Sequence, residues 1–196
     1  MKRIFIVLLG LSLSLFAAIE KEQIAPIMKH KIQSVTDLLQ QENISKSILS
    51  GQIFEEFDPV FDFDLMARLS LGTAQWRVLS GAEQKEFTYH FVARLKRSFI
   101  EKLELYSNEV AVIKDAKDVV VGSSTRVFLL TELISKEANY QVDYKFYDAK
   151  GQGWLIYDVD ILGVSIVQTY RSQFEGFLKD NPFEALIGWL QEDLEP

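Results

Sequence analysis

The sequence predicts an α+β fold: N-terminal helices, an antiparallel sheet of about four to five strands, then C-terminal helices, with helices over one face of the sheet. Two changes of period carry this reading. Apolar residues recur at helical spacing up to about residue 106, alternate in twos from residue 109 to 161, and return to helical spacing after residue 163.

The elements follow in order. Ile24, Met28, Val35 and Leu39, with Leu38 beside them, mark a first helix, and Pro26 falls in its first turn, where a missing N–H costs nothing. Residues 43–45 read as a break, and a second, shorter helix covers residues 46–57. After Pro59, Asp62 or Asp64 is placed to cap a helix through Leu65, Met66 and Leu69 that ends near Gly72. Ser80-Gly81-Ala82-Glu83 fits a capping box and opens the longest helix, to about Tyr106. Phe87, Phe91, Leu95, Phe99 and Leu103 follow at steps of four, which drift slowly round a helix and give a broad aromatic stripe.

In the sheet region, residues 110–113 and 119–121 read as two short runs joined by residues 114–118. Residues 127–134 are apolar on both faces apart from Thr131 and Glu132, which places them centrally. Tyr140, Val142, Tyr144 and Phe146 then alternate with polar residues, so one face is buried and the other largely wet. Residues 148–153 form a hairpin loop, and residues 154–161 are the last strand. Residues 163–178 return to helix, and Asn181-Pro182 starts another with Phe183, Leu186, Ile187 and Leu190 on its apolar face.

Composition bounds the function. The 196 residues are 48% hydrophobic and 25% charged, which suits one folded domain with a sizeable core. The 14 Phe and 7 Tyr leave a ligand cavity and an ordinary aromatic-rich core both open. A formal charge of −7, with no Lys/Arg cluster, argues against nucleic acid and against lasting adsorption to an anionic membrane. With no Cys, thiolate chemistry is excluded.

The N-terminus reads as a secretory signal peptide over residues 1–18, leaving residues 19–196 as one domain. Lys2 and Arg3 precede a mostly apolar run over residues 4–16, and Ala17 and Ala18 supply the small residues of a cleavage site. The run is short of the roughly 20 residues that span a bilayer. Cleavage would take the formal charge from −7 to −9.

Chemistry-bearing groups are sparse. His30 and His90 are the only histidines, each among polar residues, and they form no metal motif. Asp158 and Asp160 lie two apart on a strand, so they share a face; the pattern reads as carboxylates on the wet side of an edge strand rather than an acid–base pair. Ser165, in Gly163-Val164-Ser165, is better placed to cap a helix than to act as a nucleophile. Neither an enzyme nor a cofactor or metal site is expected.

Two stretches carry a family resemblance. The first is Phe61-Asp62-Phe63-Asp64-Leu65-Met66-Ala67-Arg68, then Leu71-Gly72, Trp76-Arg77, Ser80, Gln84 and the Phe87/Phe91 helix. The second is Trp154-Leu155-Ile156-Tyr157-Asp158-Val159, Leu162-Gly163-Val164-Ser165 and Arg171-Ser172-Gln173-Phe174. In this order, behind a signal peptide, they resemble the MlaC family, also called toluene-tolerance auxiliary proteins. The resemblance implies a periplasmic phospholipid carrier with a deep apolar pocket between sheet and helices. Its partners would be a phospholipid ligand, an outer-membrane lipoprotein–porin complex, and the MCE-domain subunit of an inner-membrane ABC transporter, in support of outer-membrane lipid asymmetry. A carrier or chaperone for another apolar cargo is the alternative.

For such a pocket the apolar stripes nominate lipid-binding residues from both halves of the chain. Phe91, Leu95, Phe99 and Tyr106 come from the long helix; Val127, Leu129, Val142, Tyr144 and Phe146 from the sheet; Val164 and Phe174 from the closing helix region. About half are expected to touch a cavity and the rest to be ordinary core. Phe61, Phe63 and Trp76 are expected to be scaffold.

Overall fold

A computed structural model describes residues 18–41, 44–103, 109–136 and 139–192. Among these residues the chain is an α+β fold of seven α-helices and one five-stranded antiparallel sheet. Helices α1 (Ile24–Leu39), α2 (Lys46–Phe57), α3 (Phe63–Leu71), α4 (Thr73–Val78) and α5 (Gly81–Leu103) precede the sheet. Strands β1 (Val110–Val121), β2 (Ser124–Ile134), β3 (Asn139–Asp148), β4 (Trp154–Ile161) and β5 (Val164–Ser165) follow in spatial order 1-2-3-4-5, and α6 (Ile166–Phe177) and α7 (Phe183–Glu192) close the fold.

The helix starts are set by side chains that satisfy exposed N–H groups. Asp62 Oδ1 accepts from Leu65 N at 2.8 Å at the start of α3. The Ser80–Glu83 box forms in both directions, with Glu83 Oε2 accepting from Ser80 N at 2.6 Å and Ser80 Oγ from Glu83 N at 3.3 Å. Ser165 Oγ accepts from Gln168 N at 3.0 Å and caps α6.

Three elements differ from the sequence reading. Residues 110–121 form one strand, because β2 is long enough to pair along its whole length; the interruption at Lys114 is a bulge between Ile113 and Asp115. Helix α6 begins at Ile166 rather than Gly163, because Leu162-Gly163 makes a two-residue turn that pairs Ile161 with Val164. The short helix α4 was not separately expected. Tyr106 lies outside the described residues.

Register assigns the sheet faces. Val127 pairs with Phe146, Leu129 with Tyr144 and Thr131 with Val142, and across β4 Phe146 pairs with Ile156, Tyr144 with Val159 and Val142 with Ile161. These residues form one face, apolar except for Thr131, whose hydroxyl donates to Val142 O. Ile24 and Met28 of α1, with Val60, pack on it to make a sheet core. A second core lies among helices α3, α5, α6 and α7, built on Met66, Leu71, Phe87, Phe91, Phe174 and Leu186. Phe61 packs against both cores, and it bridges to Ile156 along the β4 edge.

Candidate functional site

The apolar sheet face is covered unevenly. Val127, Leu129, Phe146 and Ile156 are fully buried beneath α1. Further along the same face Val142 and Tyr144 are half-buried, and beyond them Tyr140 and Ile161 are exposed. Burial therefore falls steadily along β3 and β4 from Phe146 toward Tyr140, while the side chains stay apolar or aromatic. The Tyr144 phenol is pushed up to about 12 by burial, so it stays neutral at any physiological pH.

The other nominated residues fall into separate places. Phe91 and Phe174 are fully buried in the helical core, with ring centroids 6.3 Å apart, and Leu95 packs against that core half-buried. Phe99, farther along α5, is exposed and touches the ring of Phe54 on α2 at 5.9 Å. Val164 is exposed on the short strand β5. The sheet residues and the helical residues thus belong to two cores. Of two surface clefts, one of about 430 Å³ between α1 and α2 is lined mainly by carboxylates and amides, and one of about 450 Å³ beside residues 61–64 is lined by Asp62, Asp64 and Gln152 together with Phe61, Phe63 and Leu155; neither includes a nominated residue.

Phe54, Phe57 and Phe61 are apolar contributors that the stripes did not nominate. Phe57 and Phe61 pack against the sheet core, and Phe61 stacks on Phe63 at 5.3 Å. Their signal was present in the aromatic run from residue 54 to 63, but Pro59 hides its periodicity.

The polar groups of the resemblance act as braces. Asp62, besides capping α3, accepts a hydrogen bond from the Tyr147 hydroxyl. Gln84 Nε2 donates to Trp76 O at 2.9 Å, and the Trp76 ring packs on the edge of Phe87. Arg171 lies over Gly72, whose φ of 88° suits glycine.

Asp158 corrects the sequence reading. It is not a wet carboxylate: only 4% of it is exposed. The start of α6 packs over it, and Val167 N and Val159 N donate to Oδ1 at 3.1 and 2.9 Å. Ser165 Oγ donates to Oδ2 at 2.7 Å, and Lys145 Nζ lies 3.0 Å from Oδ2 and 2.6 Å from Asp160 Oδ1. Burial works to lower the Lys145 pKa, but the hydrogen bonds and charges of Asp160 and Asp158 together outweigh it and raise it. Two of these contacts, from Val167 N and Ser165 Oγ, tie the start of α6 to the sheet, and the other two come from β4 itself and from β3.

His30 is exposed, and His90 Nε2 lies 3.0 Å from Gln191 Nε2. Among the described residues no group of three or more His, Asp or Glu side chains could hold a metal ion, and no helix is long and apolar enough to cross a membrane.

The family model described as MlaC protein matches residues 29–192. Among solved structures, a phospholipid-binding protein from Ralstonia solanacearum, determined in complex with a phospholipid, superposes with a TM-score of 0.71 at 19% identity, covering 89% of this chain and 96% of that one. At that identity the likeness is one of fold. No curated protein matches the chain in sequence.

Proposed function

The chain belongs to the MlaC family, and on that premise we propose that it is a periplasmic carrier of diacyl phospholipid. One observation supports this reading above the others: an apolar face along β3 and β4 that runs from a buried core to an exposed end. Acyl chains would lie along Val142 and Tyr144, with the headgroup left at the water boundary. The fold it shares with a protein solved in complex with a phospholipid supports the same cargo.

The energetics make a carrier necessary. Two acyl chains hold roughly 30 methylenes, and exposing each to water costs about 0.8 kcal/mol, so a bare crossing costs on the order of 20 kcal/mol. A protein pocket replaces one apolar environment with another. The difference between pocket and bilayer is then small, and lipid can be handed on. Residues 1–18 would act as the signal peptide that delivers the protein to the periplasm. The partners would be an outer-membrane lipoprotein–porin complex and the MCE-domain subunit of an inner-membrane ABC transporter, and the traffic between them would maintain lipid asymmetry.

The test is lipid loading. Protein purified from a bacterial periplasm is extracted and its lipids are identified by mass spectrometry. Val142→Trp fills the half-buried stretch and is expected to abolish loading in a folded protein. Single Lys→Ala and Arg→Ala changes are expected to leave loading unaltered, because the chain has no basic cluster to clamp a phosphate. A basic-residue variant that empties the protein while Val142→Trp stays loaded would make headgroup capture the mechanism instead.

A further inference from the structure

Strand β1 is the long open edge of the sheet. β2 pairs with it along one side, and among the described residues no strand pairs with it along the other. An edge of 12 residues presents a row of backbone N–H and C=O groups that another strand can take up. Its two ends also hold apolar side chains in water: Val110 is 57% exposed, Val120 76% and Val121 47%. Between these ends lie Lys114, Asp115, Lys117 and Asp118.

Charges on an edge strand guard it when an approaching strand meets like against like. The order of charges in β1 leaves one register open. With a second copy turned antiparallel and the two-fold axis placed at Ala116, Asp115 faces Lys117 of the second copy, and Lys117 faces its Asp115. A slip of two residues sets Asp115 against itself or Lys117 against itself, and like charges directly opposite each other destabilise a pair. A slip of one residue opposes side chains that point to different sheet faces.

The rest of the strand fits the same register. Against β2, Lys114 is the extra residue of the bulge, since Ile113 pairs with Thr131 and Asp115 with Leu130. Counted so in both copies, Val119 comes opposite Val112, Val120 opposite Ala111 and Val121 opposite Val110. The β2 register puts each of these pairs on a common sheet face, so apolar surface that one copy leaves in water is covered by the other. The central charges have room to turn. Asp115 and Lys117 lie 3.7 Å apart within one copy, each more than half exposed, and Asp115 Oδ1 also accepts from Ala116 N at 2.8 Å. The outer two are held within their own copy, Lys114 by Glu132 at 3.1 Å and Asp118 by Lys21 at 2.5 Å.

We propose that β1 is a dimerisation edge: two copies pair antiparallel through β1 about a two-fold axis at Ala116 and join two five-stranded sheets into one. The contact is isologous, each copy giving the same residues, and the axis stands perpendicular to the sheet, so both apolar sheet faces lie on one side. The proposal does not depend on what the protein carries.

The test is sedimentation of the purified chain over a range of concentrations. The unmodified protein is expected to pass from monomer to dimer as concentration rises. Asp115→Lys and Lys117→Asp are each expected to weaken the dimer at least about tenfold, because each sets two like-charged pairs across the axis. An equimolar mixture of these two variants is expected to dimerise again, since one then carries only lysine and the other only aspartate at the two positions; this recovery also shows that both variants are folded. The sequence has no Cys, so Ala116→Cys puts a single thiol at the axis. Directly opposite Cα atoms lie about 4.5–5.5 Å apart, within disulfide reach. Ala116→Cys is therefore expected to cross-link to itself under an added oxidant, whereas Lys114→Cys, separated from its own copy by four residues or about 13 Å, is not. A protein that stays monomeric at every concentration at which it is soluble would overturn the proposal. So would a dimer that both single charge reversals leave intact, one that Ala116→Cys fails to cross-link, or a mixture of the two reversals that stays monomeric.

Discussion

Replacing Asp158 tests the structural account at its most buried charge. Asp158→Ala removes the acceptor for two backbone N–H groups, the Ser165 hydroxyl and the Lys145 ammonium at once. Lys145, whose side chain is only 14% exposed, is left with Asp160 alone. Breaking one side of a buried ion pair costs about 3–5 kcal/mol, much of it from the charge left behind. Asp158→Asn keeps an oxygen for the backbone donors and loses the charge, so about half that cost is expected. With a slope of about 2 kcal/mol per molar urea, the alanine change should move the unfolding midpoint down by about 2 M at unchanged slope. Lys145→Met is also expected to destabilise, because it leaves two neighbouring carboxylates without their cation. Combined with Asp158→Asn it should cost less than the sum of the two single changes. An Asp158→Ala midpoint within a few tenths molar of the unmodified protein would refute the reasoning and return Asp158 to a solvated strand face.

Three further outcomes follow from the structure. Gly153 has φ 84°, and a Cβ there would collide with the backbone N and O of Ile19, which bridges to it; Gly153→Ala should cost more than about 1 kcal/mol in thermal unfolding. Trp76→Ala removes a half-buried ring that packs on Phe87, and about 3 kcal/mol is expected in urea unfolding, whereas an unchanged midpoint would remove Trp76 from the scaffold. On the alkaline side, burial raises Tyr144 to about 12; burial followed by the Asp62 contact raises Tyr147; burial raises Tyr157; and the Asp160 and Asp158 contacts raise Lys145 against the effect of burial. Each folded value lies above its unfolded one, so the protonated forms favour the folded state. Their contribution is complete below about pH 10 and is lost as pH rises through the folded values. Stability against urea should fall between about pH 10 and 12 as phenolate absorbance appears, and a flat profile there would contradict the assignment.

Much of the fold was legible because its signals are local. The Ser80–Glu83 box, the Asp62 cap and the alternation from Tyr140 to Phe146 act within a few residues, and each appears where its pattern places it. What escaped depends on partners distant in sequence. Lys114 to Asp118 look like a loop because charges interrupt the valines, yet the length of β2 pulls them into one strand with a bulge. Asp158 looks solvated on alternation alone; the helix that buries it begins eight residues later and folds back over β4. Periodicity likewise could show that Phe91 and Phe146 are both core. It could not show that one belongs to a helical core and the other to a sheet core that meet at Phe61. The positive φ of Leu162 is a backbone property, invisible until Ile161 and Val164 are seen to pair.

Native mass spectrometry of the protein purified from a bacterial periplasm tests the central claim most directly. The account predicts a mass increment of about one phospholipid per chain, released as intact diacyl lipid on activation in the gas phase. A chain that emerges empty, or one that carries a different apolar cargo, would contradict it.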